Sequence, residues 1–305
     1  MRAMRATIVA AALAAAGLAG EAAHAHATPA VSFELAYRAY NAWDEGTWWL
    51  PDRCTQVSRV YGSEPAAAGR YPVVIYLHGA LGDWGGNREG RTFAALAAEQ
   101  GFVAAAVTYD SWVVTSLERI DGNARCIFGP EIAGNPVAQL CARPKADCSR
   151  GVAVAGFSAG GAIAGRARNV SPQVRAAWLL GVSGPAVAAS YAAPAGTRAL
   201  RDDRLRIAVG RVDVAGGDVG VLNAMTGQHC TSTSCLRPDG SGFHVVQDAE
   251  VADGVADHCW WQSVNTSAPA NSCSASPELD PGFKPPSTAP WSITTGLAWL
   301  RAKLS

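Results

Sequence analysis

Six apolar runs of strand length recur along the chain, each separated from the next by enough residues for a helix or a loop. They are residues 71–79 (YPVVIYLHG), 101–110 (GFVAAAVTYD), 151–158 (GVAVAGFS), 176–184 (AAWLLGVSG), 204–213 (RLRIAVGRVD) and 242–247 (GFHVVQ). Their near-continuous apolar character is that of parallel strands covered on both faces, because a half-exposed antiparallel strand alternates polar with apolar positions. Residues 91–101 (RTFAALAAEQG) read as a helix closing on a glycine, residues 159–169 (AGGAIAGRARN) as an alanine-rich helix, and residues 292–304 (SITTGLAWLRAKL) as a packing helix at the end of the chain. Strand and helix in alternation predict an α/β fold, with a doubly wound, mostly parallel sheet and crossovers on both faces. Residues 111–150 and 259–290 break the rhythm and read as loop excursions.

The third run ends in Gly156-Phe157-Ser158-Ala159-Gly160, which fits G-x-S-x-G between a strand and a helix. Small flanking residues let the chain turn sharply there, which puts the serine at the tip with its hydroxyl exposed. A serine hydroxyl needs a base to take its proton and two donors for the oxyanion. The amide of Ala159, at the start of the helix, is one expected donor. The amide of Ala80, after the strand-ending His78-Gly79 turn, is the other. His78 itself is read as a brace for that turn.

The acid is expected at the end of a strand after the serine, which selects Asp213, with Asp218 a few residues along the loop as its rival. Three histidines follow. His229 abuts a cysteine and His244 lies inside a strand, so His258, in the loop beyond that strand, is the expected base.

All eight cysteines lie beyond residue 27, and an even set in an exported chain reads as disulfides. Spacing suggests Cys141 with Cys148, Cys230 with Cys235 and Cys259 with Cys273, leaving Cys54 to Cys126, although eight cysteines admit many connectivities. No C-x-x-C pair occurs and the histidines are scattered, a poor pattern for a metal site. The first 27 residues carry two arginines, an alanine-rich apolar centre and the small-x-small ending Ala25-His26-Ala27, with Ala23-His24-Ala25 serving equally well, the layout of a cleaved secretory signal. Residues 28–305 then form one catalytic-size domain, secreted to the extracellular space or periplasm. The formal charge of +0 gives no attraction for nucleic acid or an anionic membrane, and no membrane insertion is expected once the signal is gone.

The order Ser158, Asp213, His258, with His78-Gly79 upstream, resembles the α/β-hydrolase superfamily of serine hydrolases. The elbow sequence GFSAGG is similar to that of secreted carboxylesterases and of polyhydroxyalkanoate depolymerase or feruloyl esterase relatives; the HGGG turn of another branch is replaced here by HGAL. The resemblance implies attack by Ser158 on an ester carbonyl, an acyl-enzyme held by the Ala80 and Ala159 amides, and release by water activated through His258. It requires neither metal nor organic cofactor.

Ten tryptophans accompany this arrangement, and Trp84, Trp112, Trp260 and Trp261 fall after the HG turn, after the next strand and after His258. They are expected to form an aromatic rim for an apolar, aromatic or polyester-type acyl group, whether of a small-molecule or a polymeric ester. A serine peptidase of the same fold would use the same triad, and a non-catalytic ligand-binding relative would use the rim alone.

Overall fold

The computed structural model describes residues 29–41, 53–80, 87–110, 116–182, 200–213, 218–263, 273 and 278–305. Residues 1–27, Trp84 and Trp112 therefore lie outside the described residues. Among the described residues, nine strands form one sheet in the order β1-β2-β4-β3-β5-β6-β7-β9-β8. The strands are β1 (Ala30–Tyr40), β2 (Cys54–Pro65), β3 (Tyr71–Leu77), β4 (Val103–Val107), β5 (Ala146–Phe157), β6 (Val174–Leu180), β7 (Leu205–Gly210), β8 (Ser234–Leu236) and β9 (Gly242–Val246). Strands β4, β3, β5, β6, β7 and β9 run parallel, while β1, β2 and β8 complete the edges in antiparallel pairing.

Both faces of the parallel strands are covered. Along β3, Val73, Ile75 and Leu77 enter one core while Val74 and Tyr76 enter the other, the period-2 alternation of a strand buried on both sides. The first core is roofed by α2 (Leu117–Phe128), α3 (Pro136–Cys141), α4 (Ala159–Val170) and α5 (Val219–Thr226) through side chains such as Ile127, Leu140, Ile163 and Met225. The second lies under α1 (Arg88–Glu99) and α6 (Ile293–Lys303), through Phe93, Ala97, Leu297 and Leu300. Each fully buried aliphatic or aromatic side chain contributes about 1.5–3 kcal/mol. The result is the doubly wound, mostly parallel α/β fold anticipated from the apolar runs.

Residues 111–150 are more regular than their composition suggested. Their described part holds α2, α3 and the start of β5. Glycine and asparagine inside α2 disguise it, yet Gly122 is there for packing: a Cβ would stand 2.4 Å from the Tyr40 ring. The cysteines pair as their spacing suggested, Cys54–Cys126, Cys141–Cys148, Cys230–Cys235 and Cys259–Cys273. No described helix is long and apolar enough to cross a membrane.

Candidate active site

Parallel strands deliver their carboxyl ends to one edge, and the chain reverses direction across the sheet between β3 and β5, where open α/β sheets leave a crevice. Ser158 follows β5 at that edge. Its backbone angles, φ 51° and ψ −117°, are rare for a side-chain-bearing residue, and this single strained position turns strand β5 into helix α4. The glycines of the motif permit the turn. A Cβ at Gly156 would sit 2.3 Å from the Gly160 carbonyl oxygen, and one at Gly160 would sit 2.1 Å from that of Leu77. The Ser158 amide donates to the Leu180 carbonyl at 2.8 Å, which ties the elbow to β6.

Although Ser158 occupies the N-cap of α4, its hydroxyl makes no capping bond. It meets His258 Nε2 at 2.9 Å, and His258 Nδ1 meets Asp213 Oδ2 at 2.8 Å. An ionised carboxylate only accepts, so Nδ1 carries the proton and Nε2 is left to accept from the serine hydroxyl. The Asp213 side chain has no exposed surface and that of His258 is 9% exposed, so this short relay is shielded from competing water. The other oxygen of Asp213, Oδ1, has no hydrogen-bond partner among the described residues.

Local structure holds each member. Asp213 emerges just past β7, where its amide donates to Gly210 at 3.2 Å. The loop carrying His258 is pinned by three contacts: the Val212 amide donating to Ala256 at 3.0 Å, the Ala256 amide donating to Asp248 at 3.0 Å, and the Cys259–Cys273 disulfide. Phe157 lies beneath, its ring centroid 4.9 Å from that of His258 and 5.3 Å, edge-on, from that of Trp261.

The rival groups are occupied elsewhere. Asp218 caps α5, accepting from the amides of Gly220 at 2.7 Å and Val221 at 3.3 Å. His244, on β9, spans Ser234 and Glu250 at 3.1 Å on either side. His229 is exposed. His78 is fully buried: Nδ1 donates to the Gly79 carbonyl at 2.7 Å, Nε2 faces the Tyr109 amide at 3.4 Å, and its ring stacks on Tyr109 with centroids 4.4 Å apart.

Ala80 follows the His78-Gly79 turn at the end of β3, and Ala159 opens α4 beside the serine, so both backbones stand at the same edge. Trp260 and Trp261 depart from expectation. They do not line a rim but are buried, 1% and 3% exposed. Trp260 packs edge-on against Phe283 and Trp291, and Trp261 lies against Phe157 and Phe283. Two adjacent indoles in a turn cover more apolar area facing inward than outward, and the second core takes both.

One polar side chain beside the site went unread in the sequence. Glu89, in the first turn of α1, accepts from the Tyr76 hydroxyl and from the Gly79 amide, and it faces His258. Burial pushes its carboxyl up to about 7 against the pull of those donors. A glutamate in a first helical turn ordinarily answers only the helix dipole, so nothing in its sequence context marks it out. No group of three or more His, Cys, Asp or Glu side chains suited to a metal ion occurs among the described residues.

No protein-family model and no curated protein matches the chain. Solved structures do align with parts of it. A structure of esterase Est22 is 12% identical over 73% of this chain and 72% of that one, with a TM-score of 0.45. A mutant of esterase rPPE is 16% identical over 68% of this chain and 73% of that one, with a TM-score of 0.42. A hypothetical protein from Pseudomonas aeruginosa is 15% identical over 52% of this chain, with a TM-score of 0.37, and the chain spans only 44% of its length. Likeness this distant assigns the chain neither a family nor an activity.

Proposed function

We propose that this chain is a serine hydrolase that cleaves carboxylic esters through an acyl-enzyme. The observation that carries the reading is the buried line from Ser158 Oγ to His258 Nε2 and from His258 Nδ1 to Asp213 Oδ2, closed at 2.9 and 2.8 Å with the serine on a strained turn. In this reading His258 takes the serine proton as Oγ attacks the ester carbonyl, and Asp213 orients the imidazole and stabilises its charged form. The amides of Ala80 and Ala159 receive the negative charge of the tetrahedral intermediate. His258 returns the proton to the leaving alcohol, then activates the water that releases the acid. Residues 1–27 are a cleaved signal, and the mature domain, 28–305, works outside the cytoplasm, where its four disulfides persist.

The test is labelling and turnover together. The folded protein is expected to form a fluorophosphonate adduct on Ser158 and to release p-nitrophenol from acyl esters. Ser158→Ala is expected to lose both while keeping its melting temperature. An unlabelled serine sinks the hydrolase reading, and cleavage of peptide p-nitroanilides with no ester turnover replaces the esterase with a peptidase.

A further inference from the structure

Glu89 is not a member of the serine–histidine–aspartate line, yet it touches the turn that leads to Ala80. That turn contains Gly79 because the Phe157 ring fills the space of a side chain: a Cβ there would stand 2.7 Å from the ring. A glycine leaves the backbone free to wander, so an amide donor placed just after it needs an outside restraint. Glu89 supplies one from a firmly placed helix turn. Asn87, fully buried, accepts from the Gly90 amide at 3.2 Å and donates to the Thr108 hydroxyl at 3.3 Å. A Cβ at Gly90 would stand only 2.6 Å from Ala106 Cβ, so this end of α1 is pressed onto β4.

We propose that Glu89 is a positioning residue of the oxyanion turn: its carboxylate, held by the Tyr76 hydroxyl, fixes the Gly79 amide and so aims the Ala80 amide that follows. The inference rests on the serine-hydrolase reading above. A carboxylate accepting from an amide and a hydroxyl makes stronger, shorter bonds than a neutral acceptor. Holding it there is costly, since its surroundings include Phe93, Leu96 and Trp261. Groups kept against such a penalty beside a reactive line are commonly functional.

The groups facing the carboxyl are Tyr76 from β3, with Tyr109 beside it, and His258 from the loop after β9. Tyr76 is itself held well above the ordinary tyrosine range by burial and then by Glu89, so it stays a neutral donor. As pH falls through about 7, Glu89 takes up a proton and loses the charge that grips the Gly79 amide. A fall in kcat as pH drops through about 7 is therefore expected to follow Glu89.

The experiment compares wild type, Glu89→Gln and Glu89→Ala, using p-nitrophenyl butyrate, the fluorophosphonate probe and amide NMR. Glu89→Ala is expected to lower kcat about ten- to a hundredfold with KM within about twofold, the signature of a misaimed donor. Glu89→Gln, which keeps an acceptor but no titratable charge, is expected to recover most of that loss at pH 8 and to lose the fall in kcat that follows Glu89 in wild type. In wild type the Gly79 and Ala80 amide resonances are expected to move with a midpoint near that of Glu89, and in Glu89→Gln they stay flat. If Ser158 is labelled but the pH profiles and amide shifts of wild type and Glu89→Gln coincide, the positioning role is overturned and the hydrolase stands. If wild-type Ser158 takes no label, the parent reading falls and takes the proposal with it.

Discussion

Two carboxylates and two histidines compete for the places behind Ser158, and hydrogen bonds separate them. Asp213 bonds the imidazole of His258 and Asp218 caps a helix; His258 reaches Ser158 while His244 is held between Ser234 and Glu250. Asp213→Asn is expected to lower kcat by about 10⁴-fold, because an amide at that position no longer enforces the Nδ1–H tautomer. Asp218→Asn leaves kcat in place, since asparagine caps nearly as well. His244→Gln costs stability and spares the chemistry. Steady-state kinetics on these three variants and on His258→Gln checks the assignment, and a larger kcat loss at His244 than at His258 would overturn it. The positions that geometry joins were legible from their order along the chain, because a strand end followed by a turn constrains where a side chain emerges. The inward rotation of Trp260 and Trp261, and the reach of Glu89 to Tyr76, depend on partners far away in sequence.

At the level of elements, the parallel strands were the most legible part, since burial on both faces writes a continuous apolar run. The edge strands β1 and β2 were not read. Their signal is the weaker alternation of a half-covered antiparallel pair, as in Val31-Ser32-Phe33-Glu34-Leu35, and their pairing is fixed by contacts from Ala30↔Pro65 to Tyr40↔Cys54. Helix α2 was hidden by its own Gly122 and Asn123. The Cys54–Cys126 disulfide ties these unread elements together across a sequence separation of 72, against 5 for Cys230–Cys235. Loop-closure entropy gives about 4 kcal/mol for the long link and about 2 kcal/mol for the short one. Paired alanine substitutions at each bridge, followed by denaturant unfolding, are expected to reproduce that order.

For the molecule as a whole, the desolvated carboxyl of Glu89, a half-buried residue, sets a pH dependence of stability. Its folded value of about 7 lies above the ordinary 4.5, so the folded state binds that proton more tightly than the unfolded chain. The associated stability is fully present below about 4.5 and is lost as pH rises through about 7. Glu89→Gln is therefore expected to be more stable than wild type at pH 8, by on the order of 2 kcal/mol, and equal to it at pH 4. Melting curves at the two pH values check the sign, and a variant less stable at pH 8 contradicts it. The positioning role proposed for Glu89 would set activity against stability, a familiar trade-off with its cost borne at one helix turn. The elbow extends the same logic. Ser158 keeps its left-handed backbone only while β5 and β6 stay joined through Leu180 and the motif glycines interlock with Leu77. Once that corner breathes, the serine relaxes to an ordinary angle and swings out of line with His258, so heat is expected to silence the molecule at a lower temperature than the one that melts it.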